Sequence, residues 1–221
     1  MRWVLMILFA LCNATVTGQT PHIKVLDTDF SKGRLAQEQI ISLQDVAKLH
    51  GHLCDGLVVG FLGLREGLYK LYPSQVIDRT NTRIVSKSSP CITDVAIYLT
   101  GGRYQFNTFF VSDSIQYLFV VQRKDNEQAY GVRLKPGVKP KAIDSMGALA
   151  NLGILEPCEL EVLRKLEDKF INHLLASPLA LTFTTERIEN YKWNPVLQNT
   201  FIKTDVLNKN KASCKDTERP H

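Results

Sequence analysis

Apolar positions along this chain change period several times, and each change predicts an element. Residues 19–40 mix polar and apolar side chains without a clear period and read as an extended lead-in. From Ser42, a capping residue, Leu43, Val46, Ala47 and Leu49 recur at helical spacing as far as His50, and Gly51 breaks the pattern. A second helical pattern runs through Leu57, Val58, Phe61, Leu62, Leu64, Leu68 and Leu71 and closes at Pro73. Gly56, Gly60, Gly63 and Gly67 recur along it. Each costs about 1 kcal/mol of helix propensity against alanine, so the repetition points to tight packing against a neighbouring element.

A strand is predicted over 82–87, followed by Ser88-Ser89-Pro90 and a short helix from Cys91 over 92–99, closed by Thr100-Gly101-Gly102. Two runs rich in aromatic and β-branched residues, 106–111 and 116–123, flank a turn at Asp113-Ser114. A turn over 124–127 leads to a third run, 129–134. Three successive strands with short turns predict an α+β fold, an antiparallel sheet with helices packed on one face. Residues 136–140 form a loop, and 156–175 a long amphipathic helix with Leu160, Leu163, Leu166, Phe170 and Leu174 on one side. A mixed segment follows Pro178. The expected organisation is a leader over 1–18, an extension over 19–41, an α+β domain over 42–190 and a polar, disordered tail over 191–221.

The leader changes the compartment. Arg2 precedes an apolar run over 3–11, and Val16 and Gly18 stand at the −3 and −1 positions of a cleavage site before Gln19. That run is shorter than the roughly 20 apolar residues of a membrane span, and no later segment qualifies. A periplasmic or secreted protein without a membrane span is expected. Lipid attachment at Cys12 is the lesser alternative, because Leu11 is bulky where such sites carry a small residue. Removing 18 of the 221 residues leaves 203, and losing Arg2 lowers the net charge from +5 to +4. The excess is densest at Lys203, Lys209, Lys211 and Lys215, a solvated terminus rather than the basic, aromatic-studded surface of a nucleic-acid binder. The apolar helices are compatible with a homodimer.

The densest chemistry lies at the junction of the first two helical patterns, His50-Gly51-His52-Leu53-Cys54-Asp55-Gly56. Imidazole and thiolate are the preferred ligands of zinc and its neighbours, and thiolate is also a strong nucleophile. On a regular helix His50 and His52 diverge by about 200°. They converge with Cys54 only if Gly51 opens a turn, so one histidine joins Cys54 at a metal while the other lines the groove and moves protons. Cys91 is the natural third ligand, and a Cys/His set with one open position suits Zn²⁺. A Cys54–Cys91 disulfide is the rival in an oxidising compartment. Asp94 lies one helical turn beyond Cys91 and is a metal ligand, a partner of a ligating histidine, a general base or a helix cap. Asp55 either adds a carboxylate near the metal or, the favoured reading, opens a helix where the dipole suits an acidic residue. Arg83 and Arg133 either bind an anion or pair with surface carboxylates. Cys158 and Cys214 read as a structural disulfide or inert thiols, and His173 as a packed or exposed helix residue.

Over residues 43–189 the chain resembles the FmdE family, named for a component of formylmethanofuran dehydrogenase. The heptapeptide from His50 to Gly56 is similar to the family's His-Gly-His-Leu-Cys-Pro-Gly. Cys91-Ile92-Thr93-Asp94 resembles its Cys-x-x-Asp leading into Leu99-Thr100-Gly101, and Gly131-Val132-Arg133 ends its hairpin. The resemblance implies a mixed α+β core with histidine, cysteine and acidic side chains grouped around a metal. It implies no formylmethanofuran chemistry, which needs a molybdenum or tungsten apparatus. Asp55 replaces a proline, Ile97 a frequent glutamine and Gly102 a cysteine. Gln105-Phe106-Asn107-Thr108 stands where a Gly-Lys-Gly-Asn region is usual, and the C-terminal zinc finger of many members is absent. Roles resting on those features do not carry over. The reading is a protein that binds a transition metal, zinc or another, or a small metal-containing ligand, through His50, His52, Cys54 and Cys91, with Asp94 and His52 as candidate catalytic groups. The alternatives are a thiol-disulfide redox protein using Cys54 and Cys91, and a metal-dependent hydrolase or lyase.

Overall fold

A computed structural model describes residues 20–195. The leader, the tail lysines and Cys214 lie outside the described residues. The fold is α+β, with two sheets sharing one hydrophobic core.

The first sheet has the order β2-β1-β3 and joins β1 (His22–Thr28), β2 (Leu35–Ser42) and β3 (Val76–Asp78). The segment expected to be an irregular lead-in is thus an antiparallel hairpin. Its register pairs Ile23 with Ile41 and Val25 with Gln39. Strand β1 alternates as a strand should, burying Ile23 and Val25. On β2, an edge strand, residues 36–40 are all exposed and only Ile41 reaches the core.

The second sheet has the order β5-β4-β6-β7-β8, built from β4 (Thr82–Ser86), β5 (Phe109–Val111), β6 (Phe119–Arg123), β7 (Ala129–Leu134) and β8 (Phe183–Ile188). It is mixed, which corrects the expected antiparallel sheet: β4 pairs in parallel with β5, and the other neighbours are antiparallel. Nor does Asp113-Ser114 close a hairpin, since β5 and β6 lie on opposite edges of β4. A parallel neighbour requires a crossover, and α3 (Pro90–Thr100) supplies it between β4 and β5. Alternation decides the faces. Ile84, Phe119 and Val121 join the main core under the helices, whereas Val85, Phe110 and Val120 form a small cluster on the other face, covered by residues that include Tyr191 and Trp193.

Helix α1 (Leu43–His50) is held at its start by a capping box. Ser42 Oγ accepts from the Asp45 amide, and the Asp45 carboxylate accepts from the Ser42 amide. Helix α2 (Asp55–Leu71) crosses the centre of the molecule, with twelve of its seventeen residues buried. Its glycines mark close approach, as their recurrence predicts. A Cβ at Gly56 or Gly60 would lie 3.0 or 3.1 Å from Cys91 or Val95 of α3. At Gly63 it would meet Phe183 of β8 at 2.9 Å, and at Gly67 Val132 of β7 at 2.6 Å. The first two contacts bring the N-termini of α2 and α3 side by side. An unforeseen helix, α4 (Lys141–Asn151), packs on α5 (Pro157–Ala176), and a short α6 (Leu179–Thr182) leads into β8. No described helix is long and apolar enough to cross a membrane.

Candidate metal centre

Three helix ends converge on one point. His50 is the last residue of α1. Gly51 follows in the left-handed conformation (φ +101°), its amide bonded to Ala47, and reverses the chain. Three residues later Cys54 caps α2, its Sγ accepting from the Leu57 amide at 3.4 Å. Cys91 follows Pro90 in the first turn of α3. The Cys54 and Cys91 sulfurs lie 3.4 Å apart, and His50 Nε2 stands 3.8 Å from Cys54 and 3.6 Å from Cys91. On its other side, His50 Nδ1 is 2.8 Å from Asp94 Oδ2. Its side chain is only 7% exposed, so Asp94 and the thiols leave it little freedom.

This triangle has the dimensions of one face of a tetrahedral zinc site. Zinc–sulfur bonds of ~2.3 Å and zinc–nitrogen bonds of ~2.0–2.1 Å at tetrahedral angles place the ligand atoms ~3.6–3.8 Å apart. The imidazole–sulfur edges of 3.6 and 3.8 Å match that range, the sulfur–sulfur edge of 3.4 Å is shorter by a few tenths of an ångström, and among the described residues His50, Cys54 and Cys91 form the group able to hold a metal ion. Asp94 then occupies the position of the carboxylate that orients a ligating imidazole through its second nitrogen.

Protonation divides the two thiols. The hydrogen bond to Cys91 and burial push the Cys54 thiol up, and the same bond, accepted by Cys91, lowers that thiol to about 7. The hydrogen bond that His50 donates to Asp94 raises its imidazole above the ordinary 6.5, against the opposing effect of burial.

His52 stands outside the triangle. It is exposed, with its ring 4.8 Å from that of His50, and it lines a cavity of about 570 Å³ together with Cys54 and Cys91. Helices α4 and α5 supply the opposite wall through Ile143, Asp144, Leu163 and Glu167. Asp55 begins α2 as expected, its Oδ1 accepting from the Gly56 amide at 2.7 Å, but its Oδ2 also pairs with Lys139 at 3.1 Å. Lys139 in turn pairs with Asp144 at 3.0 Å. This charged chain escaped sequence reasoning because Lys139 lies in a loop with no motif around it. Glu167 escaped because one carboxylate on an amphipathic helix carries no signal; burial, with Asp55 adding to it, raises its carboxyl.

The other candidates stand apart. Arg133 pairs with Glu186. Arg83 donates to Gln122 at 2.9 Å and lies 4.8 Å from the Trp193 ring. Cys158 is an exposed thiol at the start of α5, and His173 is exposed beside Ser177.

No curated protein matches the chain. Residues 49–184 match the family described as FmdE, Molybdenum formylmethanofuran dehydrogenase operon, and this span starts beside His50 and runs into the last strand. With more than half of its length matched and the motif cysteines and histidine gathered at one point, the chain belongs to the FmdE family.

Proposed function

We propose that this protein binds zinc, or a small ligand carrying a transition metal, through His50, Cys54 and Cys91, and that it works in the periplasm or outside the cell. The carrying observation is the triangle of 3.4, 3.6 and 3.8 Å edges, backed by Asp94 at 2.8 Å from the far nitrogen of His50. The apolar run over 3–11 supports the compartment. His50, Cys54 and Cys91 would supply three ligands, one fewer than a closed tetrahedral zinc site takes, and Cys54 and Cys91 line the 570 Å³ cavity. Bound there, zinc supplies Lewis-acid polarisation to an oxygen or nitrogen of whatever enters. Asp94 fixes the ring of His50 and keeps its Nε2 directed at the thiols. His52, exposed on the cavity wall, is the group free to carry a proton to or from a bound ligand. Asp94, engaged with His50, positions rather than transfers.

Elemental mass spectrometry of the mature protein, purified without chelator, tests this reading. About one metal per chain is expected, lost on Cys54→Ala and on Cys91→Ala. Protein that carries no metal and takes up none after reduction overturns it.

A second reading rests on the 3.4 Å separation of the two sulfurs and on the lowered Cys91 thiol. In it Cys54 and Cys91 release two protons and pass two electrons to an external disulfide, forming a bond between them. It predicts metal-free protein with a reversible disulfide potential near those of periplasmic oxidants.

A further inference from the structure

Asp55 and Lys139 line two cavities. One is the cavity that the thiols line; the other, of about 400 Å³, shares only these two residues with it. That volume lies within the range of sites for small organic ligands, roughly 300–1,000 Å³. Its lining combines two chemistries. Val59 of α2 and Ile92 of α3, both buried, join Leu118 and Leu134 at the edge of the sheet to make an apolar interior. Lys87, Arg133 and Lys139 line the same space, three cations against the one carboxylate of Asp55.

The carboxylates that hold these cations lie mostly outside the cavity. Arg133 is held by Glu186 and Lys139 by Asp144, neither of which lines it. The Lys87 ammonium donates to the main-chain carbonyl of Asp113 at 3.2 Å, and no carboxylate pairs with it among the described residues. The wall is also preformed. Tyr117 lies against the bare backbone of Gly131, where a Cβ would come within 2.5 Å of its ring. Its hydroxyl donates to Glu186 at 3.1 Å, and the Arg133 guanidinium stands 5.8 Å from its ring centre.

We infer that this cavity is a binding site for a small organic anion, a carboxylate or similar acid on an apolar body. Cations grouped around an apolar space favour a ligand that is itself charged at one end and apolar at the other. A neutral apolar ligand leaves Lys87, which no carboxylate pairs among the described residues, desolvated with one main-chain carbonyl as its partner, and an inorganic anion leaves the aliphatic wall unfilled. The inference stands whether or not the three-residue cluster holds a metal.

The test uses two dyes with the same ring system. Anilinonaphthalene sulfonate (ANS) carries the negative charge, and N-phenylnaphthylamine lacks it. Fluorescence titrations are run on the full mature protein, both zinc-loaded and stripped of metal under reducing conditions. Saturable binding of one ANS per chain is expected in both states, displaced by aliphatic and aromatic carboxylates but not by their amides. Lys87→Met and Arg133→Gln are each expected to weaken ANS by about tenfold, the loss of one charge-assisted hydrogen bond, and to leave the neutral dye unchanged. Lys87→Arg should restore the affinity. Thermal melting confirms that each variant is folded; Lys87→Met, which removes one bond to a main-chain carbonyl, serves if Arg133→Gln does not fold. Equal affinity for the two dyes, or ANS binding indifferent to Lys87→Met, overturns the inference and marks the cavity as a plain apolar cleft. Anion binding without metal uptake sinks the metal reading alone, and metal uptake without anion binding sinks this one alone.

Discussion

Asp94 makes no contact with the sulfurs through its carboxylate, yet it governs the third corner of their triangle. Its hydrogen bond fixes which nitrogen of His50 faces Cys54 and Cys91, and its charge makes that nitrogen a better donor. Asp94→Asn keeps the shape and removes the charge, so zinc affinity should fall about 10–100-fold, read by competition with a chromophoric chelator. Unchanged affinity would show that His50 needs no such partner. The cysteines and Asp94 were legible because their intervals along the chain are short and their side chains admit few other roles. The choice between His50 and His52 was not, because it depends on the left-handed turn at Gly51, which buries one ring and exposes the other. The pairing of Asp55 with Lys139 joins residues far apart in sequence and leaves no local pattern.

Elements place those residues, and two of them invite direct tests. The capping box sets where α1 begins and thereby where it delivers His50. Hydrogen bonds from Ser42, side chain and main chain, with Lys48 adding to them, lower the Asp45 carboxyl below its ordinary 3.8. A depressed folded value means stability that is present above the unfolded value and lost as pH falls through the folded one. Asp45→Asn should therefore lower stability in urea unfolding at neutral pH, by less than the ~1 kcal/mol of an N-cap loss because the carboxylate is partly exposed and screened. The gap should begin to close near pH 3.8 and vanish below the folded value; a gap that persists in acid would assign the loss to something other than the carboxylate. The second test is Gly67→Ala. The added Cβ meets Val132, a buried and stiff β-branched side chain, at 2.6 Å. Overpacking of about 1–3 kcal/mol outweighs the roughly 1 kcal/mol gained in helix propensity, so the variant should melt lower despite the better helix former. Long periodic elements such as α2 and α5 were legible from sequence. The β1–β2 hairpin was not, because its outer strand faces solvent along residues 36–40, and neither was α4, an eleven-residue helix with Ile143 as its buried residue. The order of β4, β5 and β6 escaped for another reason: Asp113-Ser114 signals a turn but says nothing about which strand the chain joins after it.

At the scale of the whole molecule, the candidate centre lies where three helix ends meet. A metal bound to the folded chain and not to the unfolded one adds stability by mass action. With free zinc at about 100 times the dissociation constant, the gain is about 2.7 kcal/mol, or roughly 5–10 °C in melting temperature for a chain of this size. Chelator should remove that increment from the wild type and leave Cys91→Ser unaffected; identical melting with and without chelator would deny any such gain. The central helix carries one more consequence. Helix α2 is complete at Leu71, while the strands β6, β7 and β8 and the helix α5 that cover it all come later, ending with Phe183 against Gly63. This largely buried helix is thus synthesised early and covered late, and a chain still emerging must hold its apolar faces open to their surroundings until the strand that carries Phe183 arrives. Its greatest exposure to aggregation belongs to that interval of its making and not to its finished form.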